Sequence, residues 1–413
     1  MYNPVQQNQR IELIDAIRGF ALLGILMVNM PLMYEPMSKI MLGSKEHVNL
    51  LQYLSETFIK FFFEGKFFLI FSTLFGYGFY IFMQKAEDIK FSVLTVFRRR
   101  LFVLLLFGLL HIFLLWGGDV LFVYSLFGFL LILFRNSANK TIIRWALFFI
   151  LFPVVALIVL TSFFIILNSI PEMKTEIDLQ NQESLIYYED MVNRARQTYS
   201  SGTFPEIISM RLEEYFDSFL VNILFFCPTI MGMFLIGLLA AKNNFFSDVQ
   251  HKKEIFKRFI KIALPTGIIC NLFYVISLSY ADFLSVDFWL LLNSVMGLAG
   301  GLTFSLCYIS LISLSFIYNK NNFLIRNLVP VGRMALTNYL SQSLICAILF
   351  HSYGFAFYSK IEIWQGILLT FLIFSIQIIF SRIWLRYFLF GPLEWIWRSL
   401  TYLKFQPFLK AKK

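Results

Sequence analysis

The feature that most constrains the fold of this chain is a succession of long apolar segments separated by shorter polar ones. Hydrophobic residues make up 58% of its 413 residues and charged residues only 15%, which excludes an ordinary soluble domain. Apolar segments of this length cross membranes as α-helices, because a helix satisfies every backbone polar group internally. We therefore predict an all-α fold, a polytopic integral membrane helical bundle that forms a single membrane domain over residues 1–413. The predicted spans, about ten in number, are 13–33, 64–84, 99–116, 119–134, 145–168, 218–241, 259–280, 288–318, 334–352 and 363–383.

The distribution of basic residues predicts the orientation of the bundle. Lysine and arginine are concentrated in alternate loops and in the C-terminal tail, as the positive-inside rule describes for cytoplasmic segments. Lys39, Lys45 and Lys60, in the first outer loop, run against this trend. The balance places both termini in the cytoplasm. Residues 384–413 then form a cytoplasmic interfacial tail, and the polar, acidic residues 169–217 form an extracytoplasmic segment between the fifth and sixth spans.

The charge and cysteine content of the chain restrict its partners and cofactors. The net charge of +10 belongs to loops that flank apolar segments, so we expect a lipid bilayer as partner and no nucleic acid. Each of the four cysteines lies alone in an apolar run, which indicates small core residues and no metal site. The polar N-terminus lacks a cleavage site of the Ala-x-Ala type, which predicts a retained first helix in a multi-pass protein of the cell membrane.

The best candidate for a chemical centre lies in the stretch from Arg98 to Arg135, which predicts two short membrane helices joined at Gly117 and Gly118. His111 and Asp119 interrupt its apolar sequence. A helix rises 1.5 Å per residue, which puts His111 about 9 Å below the turn, with Asp119 at the start of the next helix. The two side chains are therefore predicted to converge toward the outer face. Ionisable groups at this depth usually face a protein interior or a wet cavity, and a histidine satisfied within the core is the alternative.

Further polar residues lie in or beside the other predicted spans. Asp15 and Arg18, three residues apart on the first helix, form either a cap with an interfacial arginine or a functional pair. Lys66 fits an interfacial anchor. The ninth helix carries a polar stripe, which indicates either hydrogen bonds between helices or the lining of a substrate path. The predicted substrate-binding residues are Asp15, Arg18, Asn29, Arg333, Asn338, Gln342, Glu394 and Arg398.

Five pieces of the chain carry a resemblance to a known family. They are IDAIRGFALLGILMVN (14–29), EGKFFLIFSTLFGYGF (64–79), RRRLFVLLLFGLLHIFLLWGGDVLFVYSLFGFLLI (98–132), GRMALTNYLSQSLIC (332–346) and GPLEWIWRSLTY (391–402). In this order, over nearly the whole chain, they resemble the YeiB-like bacterial membrane proteins, the family called domain of unknown function 418. That family is distantly similar to transmembrane acyltransferases, including the lysosomal heparan glucosaminide acetyltransferase, whose first helix opens with a related Asp-x-x-Arg-Gly motif.

The similarity to acyltransferases implies that acyl-coenzyme A enters from the cytosol and that a histidine assists transfer to an acceptor at the outer face. His47 lies in the matching outer loop and His111 lies in a YeiB-like piece, so both are candidates. We favour His111 as catalytic base with Asp119 as its partner, because a general base needs a group that fixes its tautomer. The residues assigned to the donor phosphates are Arg18, Arg333 and Arg398.

Three functions stay open on the sequence alone. The first is a membrane acyltransferase acting on an envelope sugar or lipid acceptor, with acyl-coenzyme A as donor substrate and no covalently bound cofactor. The second is a transporter or channel-like protein in which the same polar residues line a proton or solute path, although the sequence shows no internal repeat of the kind common in transporters. The third is a non-catalytic structural membrane protein. The sequence indicates no oligomeric state.

Overall fold

The fold, taken from a computed structural model, is described for residues 11–43, 49–84 and 93–410. Over these residues it contains sixteen α-helices and no β-strand, so the predicted all-α class is confirmed. The one strand-like feature in this part of the chain is an isolated bridge between Phe388 and Leu409. The helices are α1 Glu12–Tyr34, α2 Lys39–Leu42, α3 Leu50–Phe62, α4 Phe67–Gln84, α5 Val93–Leu114, α6 Leu121–Leu131, α7 Asn139–Asn168, α8 Pro171–Ser201, α9 Phe204–Val221, α10 Cys227–Lys242, α11 Lys253–Leu278, α12 Phe288–Tyr318, α13 Phe323–Arg333, α14 Ala335–Phe350, α15 Ile363–Tyr387 and α16 Pro392–Tyr402.

Seven helical segments of the described chain are long and apolar enough to cross a membrane. They are Glu12–Tyr34, Leu50–Gln84, Asn139–Asn168, Phe204–Lys242, Gln250–Leu278, Phe288–Tyr318 and Ile363–Tyr387. Every predicted span falls on a helix. The three that are not among the seven are α5, which carries three arginines, and the shorter apolar helices Leu121–Phe134 and Ala335–Phe350. The chain is a multi-pass helical membrane protein, and the count of ten and the cytoplasmic termini stay predictions.

The polar segment 169–217 is helical along most of its length. It forms α8 and most of α9. Pro171 occupies the first turn of α8, where its missing N–H costs no hydrogen bond. The side chains of Thr203 and Glu206 form a capping box that begins α9, as the Thr-x-x-Glu spacing favours.

Helix α1 lies at the centre of the bundle and packs against α4, α13, α14 and α15. Its apolar side chains are buried around much of the helix, including Leu13, Ile17 and Leu26, which are fully buried. A helix that is apolar on most sides is buried on most sides. A Cβ at Gly19 would overlap the carbonyl oxygen of Leu328, so glycine at this position permits the close approach of α1 and α13.

Candidate functional site

His111 and Asp119 meet at the turn between α5 and α6. His111 lies in the last turn of α5, and Asp119 lies two residues before α6. The Nδ1 atom of His111 is 2.8 Å from Oδ1 of Asp119, and neither side chain is exposed. The backbone N–H of Phe122 donates to the other carboxylate oxygen at 2.6 Å. Asp119 therefore caps α6 while it orients the imidazole.

This hydrogen bond determines what the imidazole offers to a substrate. With the Asp119 carboxylate as acceptor, Nδ1 of His111 carries a proton and Nε2 presents a lone pair. Nε2 is buried and has no hydrogen-bond partner among the described residues. A buried acceptor without a partner is uncommon in native proteins and is the arrangement that a general base requires.

Aromatic side chains enclose the imidazole. The ring of Tyr339, from α14, lies 5.3 Å from the His111 ring, and the ring of Trp116 lies 6.4 Å from it, centroid to centroid. Trp116 donates from Nε1 to the backbone oxygen of Leu32 at 3.3 Å, which ties the hairpin to α1. The pair His111–Asp119 is thus held by α1, α5, α6 and α14 together.

A first cavity of about 300 Å³ brings together charged residues from distant parts of the sequence. It lies between α1, α4, α5, α6, α13, α14 and α16. Its charged lining residues are Asp15, Arg18, Arg100, Arg333, Glu394 and Arg398. Five of these six were predicted from the sequence. Arg100 was missed as a site residue, because three arginines in a row are typical of a loop that flanks a span.

The remainder of the first cavity is apolar and extends toward the pair His111–Asp119. Its walls include Val120, which follows Asp119, and Tyr339, which packs against His111. Within the described residues the His111 ring itself lines neither this cavity nor the second one. Tyr339 therefore stands between the imidazole and the arginine-lined cavity.

Several charged groups of the first cavity are held by aromatic rings and helix termini. The Arg100 guanidinium lies 3.7 Å from the ring centroid of Trp397, and the Arg398 guanidinium lies 4.4 Å from that of Phe390. Glu394 accepts hydrogen bonds from the backbone N–H groups of Leu336 and Thr337, at 2.7 and 3.0 Å. Glu394 thereby caps α14 and fastens α16 to it.

A second, larger cavity of about 800 Å³ lies next to the first. Asp119 lines it directly, and Asn29 lines it from α1. The two cavities share three lining residues, Ile25, Val120 and Tyr124. These three side chains form the partition between the cavities, beside the pair His111–Asp119.

The polar stripe of α14 bonds to α15. Asn338 donates from Nδ2 to Oγ of Ser381 at 3.0 Å. Gln377 donates from Nε2 to the backbone oxygen of Asn338 at 2.8 Å and accepts from Nε2 of Gln342 at 2.9 Å. Among the described residues, Asn338 and Gln342 line neither of the two cavities. Of the two explanations that the sequence left open for this stripe, the structure favours hydrogen bonding between helices.

A buried polar cluster next to α5 was missed by the sequence analysis. Arg211 and Glu214, three residues apart on α9, are 3% and 5% exposed. Arg211 donates from Nη1 to the backbone oxygen of Phe113 at 2.7 Å. Glu214 accepts from Oγ of Ser38 at 3.0 Å and from the hydroxyl of Tyr199 at 2.8 Å. The only sequence signal is their shared helix face within a polar segment, which is equally typical of a solvated helix.

His351 belongs to the same cluster. It follows the end of α14 at Phe350, and it is buried. Its ring stacks on Tyr199 with 5.2 Å between centroids, and its Nδ1 lies 2.8 Å from the hydroxyl of Tyr353. Burial, together with the positive charge of Arg211, lowers the pKa of His351 to about 3.

Two further residues were singled out in the sequence, Lys66 and His47. The prediction of Lys66 as an interfacial anchor is wrong, since this side chain is fully buried. The turn between α3 and α4 carries it inward, where Nζ donates to the backbone oxygen of Lys60 at 2.8 Å and lies 5.7 Å from the ring centroid of Tyr274. His47 lies outside the described residues.

Comparison with known proteins finds relatives along the whole chain. Residues 240–404 match the model of a family described as "Protein of unknown function (DUF418)". The chain is 34% identical to the uncharacterized protein YxaH of Bacillus subtilis (strain 168), over 99% of this chain and 98% of that protein. It is 29% identical to the uncharacterized protein YeiB of Escherichia coli (strain K12), over 95% and 96% of the two chains. No solved structure gives a significant match.

Proposed function

This chain belongs to the DUF418 family, a family of unknown function, and on that premise we propose that it is a membrane acyltransferase. In this proposal the protein takes an acyl group from a cytoplasmic acyl-coenzyme A and transfers it to an envelope acceptor at the outer face of the cell membrane. The observation that carries the proposal is the position of the pair His111–Asp119. The pair lies beside the partition between an arginine-lined cavity and a larger apolar one.

The arginine-lined cavity suits the donor. Coenzyme A carries several phosphate charges, and guanidinium groups match phosphate oxygens in a bidentate geometry. Arg18, Arg333 and Arg398 line this cavity together with Arg100. The apolar walls that lead from these residues to Val120 and Tyr339 accommodate the less polar arm and the acyl group.

The chemistry assigned to the pair is a single transfer assisted by a general base. Nε2 of His111 takes the proton of the acceptor hydroxyl or amine as that atom attacks the thioester carbonyl carbon. The new ester or amide bond forms, the carbon–sulfur bond breaks, and the imidazolium returns the proton to the leaving thiolate of coenzyme A. The Asp119 carboxylate stabilises the imidazolium in between. A side-chain movement of Tyr339 gives the reactants access to Nε2.

The test is the release of free thiol from acetyl-coenzyme A by the purified protein in lipid nanodiscs. We expect thiol release above the uncatalysed rate, and we expect it to be lost in His111→Ala. The matched control is His251→Ala, since His251 is an exposed histidine. Absence of both binding and hydrolysis of acetyl-coenzyme A, with His111→Ala indistinguishable from the parent, would refute the proposal.

One observation favours a second candidate, a transporter with an intramembrane proton path. Two cavities separated by a thin partition of Ile25, Val120 and Tyr124 also match the layout of a gated pathway. In that case proteoliposomes would show proton-coupled uptake that Asp119→Asn abolishes, without any consumption of acetyl-coenzyme A. The acyltransferase proposal predicts that acetyl-coenzyme A is consumed and that no proton-coupled uptake is seen.

A further inference from the structure

The second cavity has a wall made of two apolar helix surfaces that face each other. On α6 the lining residues recur along one face, at 122, 123, 126, 127 and 130. Opposite them, at the junction of α9 and α10, lie Phe219, Ile223 and Phe226. Eight helical residues rise about 12 Å, so this part of the cavity is an elongated apolar groove.

The groove reaches the outer surface of the bundle. Four of the side chains that line it are also exposed, to 43% at Leu126, 44% at Leu130, 37% at Phe219 and 42% at Ile223. They belong to the segments Leu121–Phe134 and Phe204–Lys242, whose composition is that of membrane helices. Large apolar side chains exposed on such helices face lipid. The side opening of the cavity is therefore directed toward the bilayer hydrocarbon.

A π-helical segment forms one edge of this opening. It covers Asn222–Phe226 and is followed by Pro228 in the first turn of α10. A π-helix is wider than an α-helix, and such segments frequently mark functional sites. Asn222, Ile223 and Phe226 all line the cavity, so the irregular backbone lies where the wall is open.

Both carboxylates that line the same cavity, and two of its asparagines, lie at its other end. Asp119, Glu64 and Asn293 lie near the beginnings of α6, α4 and α12, and Asn29 lies near the end of α1. The orientation predicted from the basic loops puts all four helix ends on the outer side. The cavity is thus amphipathic, with a polar end beside the pair His111–Asp119 and an apolar groove that leads away from it.

We infer that the acceptor is a membrane lipid, whose hydrocarbon chain enters sideways between α6 and the π-helical segment and lies in the groove. Its headgroup hydroxyl or amine then meets the pair at the polar end. A cavity of about 800 Å³ is within the range of small-molecule sites in proteins. This inference rests on the proposed acyltransferase function, since it names the acceptor of that reaction.

The experiment uses the full-length protein in nanodiscs that contain a phosphatidylethanolamine with a photoreactive diazirine in its acyl chain. After illumination, peptides are mapped by mass spectrometry. We expect labelling concentrated in residues 119–131 and 215–227, and we expect Ile223→Trp to lower it about tenfold by filling the groove. The matched control is Leu147→Trp on α7, because Leu147 is 53% exposed and lies outside the cavity lining. It should leave the labelling unchanged.

The outcome separates this inference from the proposed function when acetyl-coenzyme A binding is measured on the same samples. Labelling spread evenly over the lipid-facing helices, or unaffected by Ile223→Trp, overturns the lipid acceptor even if acetyl-coenzyme A is bound and cleaved. Concentrated labelling that Ile223→Trp removes, with acetyl-coenzyme A binding intact, supports it. Concentrated labelling without any acetyl-coenzyme A binding overturns the acyltransferase itself, and with it the acceptor role.

Discussion

Two histidines are buried in the described part of the chain, His111 and His351, and their surroundings differ in charge. His111 is bonded through Nδ1 to the carboxylate of Asp119, and its other nitrogen has no partner among the described residues. His351 is bonded through Nδ1 to the hydroxyl of Tyr353 and lies in the positive field of Arg211. The charged partner of the His111 ring is therefore a carboxylate, whereas the charge beside His351 is a guanidinium.

The difference shows that burial alone does not make a histidine a catalytic base. His351 fills a closed polar cluster in which the neutral ring is favoured down to low pH. His111 has the partner that a proton acceptor needs, and it lies beside the partition between two cavities. We therefore assign chemistry to His111 and a packing role to His351.

The largest expected effect comes from Asp119→Asn. Asparagine still accepts the Phe122 N–H and caps α6, but it cannot stabilise an imidazolium at His111. We expect acyl transfer to fall by about 10³-fold, with the melting temperature nearly unchanged, as checked by thiol release and thermal unfolding. If Asp119→Asn lowers the amount of folded protein as much as it lowers activity, Asp119 contributes to stability only. The difference between the two histidines would then not be catalytic.

The next largest effect concerns His351 and pH. The folded protein keeps this ring neutral to about pH 3, whereas the unfolded chain protonates near its ordinary pKa of 6.5. The unfolded state therefore binds the extra proton between these values, so stability is lost as pH falls below 6.5. At pH 5 this amounts to about 2 kcal/mol.

The measurement is thermal unfolding in detergent as a function of pH. His351→Gln should show a shallower loss of stability between pH 6.5 and 5 than the parent, while thiol release per folded protein is retained. The exposed His251 provides the control, since His251→Gln should leave the pH profile as it is. If His351→Gln leaves the pH dependence of thermal stability unchanged, the proposed difference in electrostatic surroundings between His111 and His351 is contradicted.

A smaller effect is expected in the arginine-lined cavity, which we assign to the acyl donor. Arg333→Gln removes one guanidinium from the arginine-lined cavity. We expect the dissociation constant for acetyl-coenzyme A to rise about tenfold, because hydrogen bonds to charged groups contribute about 1.5–3 kcal/mol each. Equilibrium binding at low and high salt measures this. The exposed Arg258 on α11 is the matched control, and an equal effect of Arg258→Gln would point to general charge attraction instead.

The smallest effect is expected in the network between α14 and α15. Gln377→Leu removes its bonds to Asn338, Ser341 and Gln342 and leaves the two cavities intact. Hydrogen bonds between membrane helices contribute about 0.6 kcal/mol each on average, so we expect a modest drop in thermal stability and unchanged activity per folded protein. A loss of activity without a loss of stability would restore the substrate-path explanation for this stripe.

The sequence was sufficient to predict the helices, because long apolar segments permit little else in a bilayer. The sequence also predicted that His111 and Asp119 meet. They lie eight residues apart across one glycine turn, so the distance between them depends on local geometry alone. Arg18 and Arg333 were named one by one, but that they line one cavity depends on how α1 packs against α13, which apolar patterning does not specify.

The cluster around Arg211 shows where sequence reasoning ends. Its members come from α8, α9, the loop after α14 and Ser38 before α2, and an acidic, polar segment gives no sign that some of its charges are buried. The prediction for Lys66 was wrong for the same reason. A lysine beside an apolar run has the same sequence pattern whether it lies at the interface or inside the bundle.

The central claim is tested most directly by measuring coenzyme A release from acetyl-coenzyme A with His111→Gln and His351→Gln side by side, each normalised to folded protein. We predict that His351→Gln retains the rate of the parent and that His111→Gln falls to the uncatalysed rate. Equal rates in the two variants, whether both retained or both lost, would contradict the assignment of catalysis to His111.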